Sequence, residues 1–247
     1  MRFIHFSDLH LDSRSDVIYG VDTVDNLRRA VKRMNDVAGI DFAILSGDIS
    51  NDGSATSYLL ADCILSELYF PVYATLGNHD NRTAYAECAD RFSKLSALRI
   101  FNCPEGVRFI FLDSVWPDEI DGNKSRGFLS ERELLFLDQQ LSDPKASVIV
   151  MHHPCVSPGG WMDRRILSNS RSLISAIESK GNVLAVLAGH NHSSFTCLNG
   201  GTLYSVAPAT GTTYGISLKP YEEAFCPGFD VFEYASGKLT KSTVNIG

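Results

Sequence analysis

Apolar positions along the chain recur with two periods that alternate. RFIHFS (2–7), FAILSG (42–47) and VYATLG (72–77) are short runs rich in β-branched and aromatic residues, as in buried strands. VDTVDNLRRAVKRMNDV (21–37) and SATSYLLADCILSEL (54–68) instead space their apolar residues three and four apart, as in amphipathic helices. The pattern continues with strands at RIFNC (99–103), VRFIFLDS (107–114), SVIVMHH (147–153) and VLAVLAGHNH (183–192). Helices are predicted at SERELLFLDQQL (130–141), opened by a capping box in which Ser130 and Glu133 satisfy each other's backbone N–H, and at NSRSLISAIES (169–179). The last stretch, FTCL, TLYSVAP, FDVFEYA and LTKSTVNI, is all strand, with turns at Gly200, Gly201 and Gly237. Strand and helix alternation implies parallel βαβ units in an α/β fold, and the later strands imply a second sheet packed on the first.

Composition narrows this picture at three points. A chain of 247 residues with 44% hydrophobic content can bury a sizeable core, and 1–247 is expected to form a single domain. A net charge of −7 argues against a duplex-binding face built on many lysine–phosphate contacts, so no stable nucleic-acid partner is expected. No stretch reaches the ~20 apolar residues of a membrane span. Six cysteines without a CxxC pair suit a reduced, cytoplasmic chain.

Each polar cluster follows a strand: SDLHLD (Asp8, His10), SGDISND (Asp48), GNHD (Asn78, His79, Asp80), MHHP (His152, His153) and GHNH (His190, Asn191, His192). Ligands of open α/β sheets bind beyond the carboxyl ends of the strands, so five strand ends converge on one site. Carboxylate, imidazole and amide without thiolate form a donor set for Mn, Fe, Zn or Co. In Asp8-Leu9-His10 and His190-Asn191-His192 an extended backbone puts both outer side chains on one face, a chelating pair. Gly47, Gly77 and Gly189, each just before a donor, let the backbone turn sharply beside the metals. Asn78 is then a neutral ligand, His79 points to substrate, and Asp80 is expected to hold the other nitrogen of the His79 ring.

The ordered set D-x-H, G-D, G-N-H-D, H and G-H-x-H, spanning Asp8 to His192, resembles the calcineurin-like metallophosphoesterases. That resemblance implies a four-layer αββα sandwich of two mixed sheets flanked by helices. It implies one divalent ion on Asp8, His10, Asp48 and His192, a second on Asp48, Asn78, His152 and His190, and a hydroxide bridging them beside Asp48. Asn51 stands where purple acid phosphatases carry an iron-binding tyrosine, and the Arg-Gly continuation of the Ser/Thr protein phosphatases is missing. GVDTVDNLRRAV, SGDISNDG and LGNHDNR instead resemble class III cyclic nucleotide phosphodiesterases and bacterial glycerophosphodiesterases.

Charge counting agrees. Two divalent ions, less the Asp8 and Asp48 carboxylates and one hydroxide, leave about one positive charge, which a phosphodiester monoanion neutralises and a monoester dianion exceeds. The expected function is hydrolysis of small phosphodiesters such as 3′,5′-cyclic nucleotides with two Mn or Fe ions, Zn or Co being accepted, and with His79 stabilising charge or acting as general acid. Arg82, His153 and Asn191 are further candidates for substrate contact. Arg82 divides evenly between a phosphate contact and a salt bridge at a helix start, and His153 leans to a supporting or rim role. Trp161 and Met162 wall a nucleobase pocket or cover the core. The alternatives are a glycerophosphodiesterase, phosphomonoesterase or nuclease of the same fold, or a non-catalytic scaffold. GTTYGISLKPYEEAFCPGF (211–229) is a candidate for the rim of the pocket or for the contact of a homo-oligomer.

Overall fold

The computed structural model describes residues 1–116, 125–213 and 226–247. Its first half runs β1 (Arg2–Phe6), β2 (Val17–Ile18), β3 (Val21–Asp22), α1 (Thr23–Asn35), β4 (Phe42–Ser46), α2 (Ala55–Leu65), β5 (Val72–Thr75), α3 (Arg82–Cys88), β6 (Leu95–Ala97) and β7 (Ile100–Asn102). There follow β8 (Arg108–Phe111), α4 (Glu131–Leu141), β9 (Ser147–Val150), α5 (Ser170–Lys180), β10 (Val183–Ala188), β11 (Phe195–Asn199), β12 (Thr202–Val206), β13 (Gly228–Ala235) and β14 (Lys238–Asn245). Most of the 211–229 segment, from 214 to 225, lies outside the described residues.

Two mixed six-stranded sheets result, in the orders β14-β13-β1-β4-β5-β6 and β11-β12-β10-β9-β8-β7. Strands β1, β4, β5 and β6 are parallel, as are β8, β9, β10 and β12. The sheets' inner faces meet through Phe3, Phe42, Ile44, Phe109, Phe111, Val148, Val150, Leu187 and Phe232. Phe3 stacks on Phe42 on one side and on Phe232 on the other, with centroids 5.3 and 5.1 Å away. The alternate residues Ile4, Ala43 and Leu45 face α1, α2 and α3, while Ile110, Ile149 and Val186 face α4 and α5. Burial of both strand faces is why these segments read as nearly unbroken apolar runs. The layers are therefore helix, sheet, sheet, helix, as expected.

The C-terminal strands depart from the expectation. Only β11 and β12 extend the second sheet; β13 returns to pair antiparallel with β1, joining Arg2 to Glu233 and His5 to Asp230, and β14 forms that edge. Alternation within β13 cannot distinguish the two sheets, and the Phe232–Phe3 stack settles it. The capping box of α4 is half formed. Ser130 Oγ accepts from the Glu133 N–H, but the Glu133 carboxylate turns to Arg99 and to the Asp113 N–H. Elements of two to seven residues (β2, β3, α3 and β6) were not expected, being too short to show a period.

Asp62 in α2 fastens the connection that leads into β6. Its carboxylate accepts from the backbone N–H of Ser93, Lys94 and Leu95 at 2.7–2.8 Å and from the Ser93 hydroxyl at 2.9 Å. Burial acts to raise this carboxyl, but the backbone donors outweigh it and hold the group below the usual carboxylate range. A lowered folded value stabilises above the unfolded value of about 3.9 and fades as pH falls through the folded one. Asp62→Ala is expected to lower unfolding stability by about 2–3 kcal/mol in urea at neutral pH. Its deficit against wild type should narrow below roughly pH 4, and a deficit that stays constant to the acid limit contradicts the clamp.

Candidate metal centre

Residues at the carboxyl ends of β1, β4, β5, β9 and β10 meet at one end of the sandwich. Ligand atoms of Asp8, His10, Asp48 and His192 all lie within 4.8 Å of one another, as do those of His152, His153 and His190. Asp48 joins the two groups: its Oδ2 is 3.6 Å from His10 Nε2 and 3.3 Å from His152 Nε2. Asn78 Oδ1 lies 3.1 Å from the same His152 nitrogen.

The backbone reaches this arrangement by a different route from the extended pairs expected. Asp8, His10, Asp48, His190 and His192 all have positive φ, between 50° and 72°. Left-handed backbone at a residue other than glycine is strained, by roughly 1–2 kcal/mol each. The strain is held by a ladder between loops, in which Asp8 N–H donates to Gly47 O, His10 N–H to Asp48 O and Asn51 N–H to Leu11 O, at 2.7–3.0 Å. Two glycines are required by closeness. A Cβ on Gly77 would strike Asp48 Oδ1, and one on Gly189 would strike Ser7 Oγ and lie 2.7 Å from Asp8 Oδ2.

Hydrogen bonds behind the site set the ring orientations. His152 Nδ1 lies 2.8 Å from Ser46 O and His192 Nδ1 2.5 Å from Thr212 O. A carbonyl only accepts, so each Nδ1 carries the hydrogen and each Nε2 presents a lone pair to the cluster. In the neutral ring His152 Nε2 therefore faces Asn78 Oδ1 and Asp48 Oδ2, acceptor against acceptor. His10 Nε2 meets His192 Nε2 at 3.0 Å, while His190 Nε2 is buried without a hydrogen-bond partner among the described residues. Asp8 and Asp48 are almost wholly buried, and among the described residues their ion-pair partners are histidines. Burial disfavours a charged His152, yet the carboxylates of Asp48 and Asp8 outweigh it and lift the ring to about 9. Burial lowers His10 to about 3. Acceptors crowded around buried negative charge fit divalent cations, and the residues present suit two of them.

The remaining candidates take these positions, and Asp80 departs from its expected one. Asp80 does not hold His79; its carboxylate accepts from the N–H of Gly77, Ser50 and Ile49 at 2.8–3.2 Å and ties the Asp48 loop to the Asn78 loop. Burial and the Asp48 charge raise it to about 6. His79 Nδ1 lies 3.4 Å from the Asn51 carbonyl. Arg82 forms a fork to Asp113 at 2.6–2.9 Å and lies over Trp116, the geometry of the salt-bridge alternative. His153 is buried next to His190, ring centroids 4.5 Å apart, with Nδ1 2.9 Å from Ser114 Oγ, and does not line the cleft. Asn191 is fully buried and also away from the cleft lining.

An open cleft of about 210 Å³ lies over the cluster, lined by His10, Asp48, Asn78, His190 and His192 and by His79. His79 is exposed, with its ring edge-on to His10 at 4.8 Å. Trp161 and Met162 also line the cleft, as do Tyr19, Ser125 and Arg165, which sequence reasoning passed over. None of these three belongs to a motif. Arg165 ends the WMDRR turn that carries Trp161, the one signal that could have flagged it.

Comparison with known proteins agrees with this geometry. A 3′,5′-cyclic-nucleotide phosphodiesterase of Nostoc sp. is 29% identical over 95% of this chain and 88% of its own. A glycerophosphodiester phosphodiesterase of Enterobacter lignolyticus is 29% identical over 78% of this chain and 71% of its own. The fold is shared with a dimetal phosphatase from Danio rerio, at a TM-score of 0.73 and 17% identity over 100% of this chain and 96% of that one. Residues 1–194 match the family model described as calcineurin-like phosphoesterase, and the chain belongs to that family.

Proposed function

We propose that the protein hydrolyses small phosphodiesters, 3′,5′-cyclic nucleotides among them, using two divalent ions. The observation that carries this reading is the convergence of Asp8, His10, Asp48, His152, His190 and His192 on one buried cluster that opens to a cleft bearing His79. Asp8, His10, Asp48 and His192 would hold one ion, and Asp48, Asn78, His152 and His190 the other. Mn or Fe suits these nitrogen and oxygen donors best, with Zn or Co accepted. Two bound ions supply a water of lowered pKa and positive charge for the phosphoryl oxygens.

The chain's own residues do the remainder. Ser46 and Thr212 carbonyls hold His152 and His192 in one tautomer. Asp80 fixes the loops that carry Asp48 and Asn78. His79, which lines the cleft beside His10, would protonate the leaving oxygen. The diester preference is supported by the phosphodiesterase relatives and by the charge of the centre. Glycerophosphodiesters form the second reading, favoured by the Enterobacter lignolyticus relative. Among the described residues no helix is long and apolar enough to cross a membrane, and all six cysteines are free thiols. Those free thiols support a cytoplasmic setting.

Asn78→Ala is expected to weaken metal binding by at least ~tenfold, so that activity falls steeply at low Mn²⁺ and recovers on saturation. An equal loss at every Mn²⁺ concentration contradicts the ligand role. His79→Ala should keep its metal content and lose roughly 10²–10⁴-fold in turnover of alkyl diesters. The deficit should be much smaller for p-nitrophenyl esters, whose leaving group needs no proton; equal deficits rule His79 out as the acid. The reading itself is tested by kcat/KM for bis(p-nitrophenyl) phosphate, a 3′,5′-cyclic nucleotide and p-nitrophenyl phosphate on one Mn²⁺-loaded preparation. The diesters should lead, and a monoester ahead of both by about tenfold, some 1.4 kcal/mol in transition-state binding, would sink it.

A further inference from the structure

Arg165 stands in the cleft with a charge that no carboxylate among the described residues neutralises. Its Nη1 donates to Ser125 Oγ at 2.5 Å, which orients the guanidinium, and its Nε is buried without a hydrogen-bond partner among the described residues. Other arginines are matched by carboxylates: Arg82 by Asp113, Arg99 by Glu133 and Arg108 by Asp143. No carboxylate among the described residues pairs with Arg165.

A guanidinium stays charged at any working pH and offers five donors in a rigid plane. Withdrawn into a cleft and tethered by one hydroxyl, it keeps donors to spare for a ligand's acceptor oxygens, and it repels a ligand's cation. Arg165 shares this cleft with Tyr19, Trp161 and the metal-facing residues Asp48, Asn78 and His192, so a phosphodiester seated on the centre would extend one of its arms along that wall. Arg82, which the sequence offered for this purpose, is already engaged.

Resting on the diesterase reading, we infer that Arg165 selects the arm of the diester that reaches along the cleft wall. Arms bearing hydroxyl, carbonyl or carboxylate oxygens are favoured, and arms ending in a quaternary ammonium are disfavoured. Tyr19 and Trp161 add apolar area to either kind of arm and do not discriminate by charge.

The test uses the full chain loaded with Mn²⁺ and two matched probes, glycerophosphoglycerol and glycerophosphocholine. Their preference ratio is read as kcat/KM if they are turned over and as calorimetric Kd if they are not. Turnover leaves the diesterase reading standing, its absence for every diester tried removes that reading, and the ratio decides Arg165 in both cases. Wild type should favour the glycerol arm by about tenfold, Arg165→Lys should keep the order with a smaller ratio, and Arg165→Glu should invert it. If Arg165→Glu does not fold, a ratio close to one in Arg165→Gln supports the assignment and an unchanged ratio refutes it. A ratio that is the same in wild type and Arg165→Glu overturns it.

Discussion

Everything at the catalytic end of this molecule follows from acceptors being forced to face one another in a dry pocket. Asn78 Oδ1 and Asp48 Oδ2 lie 3.1 and 3.3 Å from His152 Nε2, and hydrogen-bonding of Nδ1 to Ser46 leaves that nitrogen no proton to give in the neutral ring. Such an arrangement is repulsive by itself, since a buried carboxylate without a counter-charge costs several kcal/mol. A cation between the groups reverses the sign. The rise of His152 to about 9 expresses the same demand, because a proton is the smallest cation that can answer it.

The architecture bears the strain that this crowding requires. Five left-handed residues, at roughly 1–2 kcal/mol each, add up to about the whole net stability of an ordinary domain. No single contact offsets that. What holds them is the hydrogen-bond ladder between the Asp8 and Asp48 loops, the Asp80 carboxylate beneath both Asp48 and Asn78, and the rigid aromatic layer between the sheets. Parallel strands bring all five loops to one end, and their buried faces leave those loops little freedom to drift.

The sequence made the donor residues legible because each motif sits directly after an apolar run, and strand ends in such folds point to one region. Local backbone shape was harder to read. The one-residue spacing of Asp8 and His10 fits an extended pair and a left-handed pair equally well, and only the partner loops select the second. The partners of Asp80 and Arg82 were hidden for a related reason. Spacing suggested His79 for Asp80 and left Arg82 between a salt bridge and a phosphate, whereas the structure pairs them with Ser50 and Asp113, about thirty positions away in the chain. Tyr19, Ser125 and Arg165 meet only across the folded cleft, so no periodicity or motif could have joined them. Strand β13 carried the pattern of a strand but no mark of its sheet.

The central claim is that two ions share Asp48, and ion counting on purified protein tests it most directly. Wild type and Asp48→Ala, each folded by circular dichroism, are equilibrated with Mn²⁺, freed of excess by gel filtration and analysed for metal per chain. The account predicts two ions in the wild type and none retained in the variant, because Asp48 is the carboxylate common to both donor sets. One ion or none in the wild type, or two ions surviving in Asp48→Ala, would contradict it.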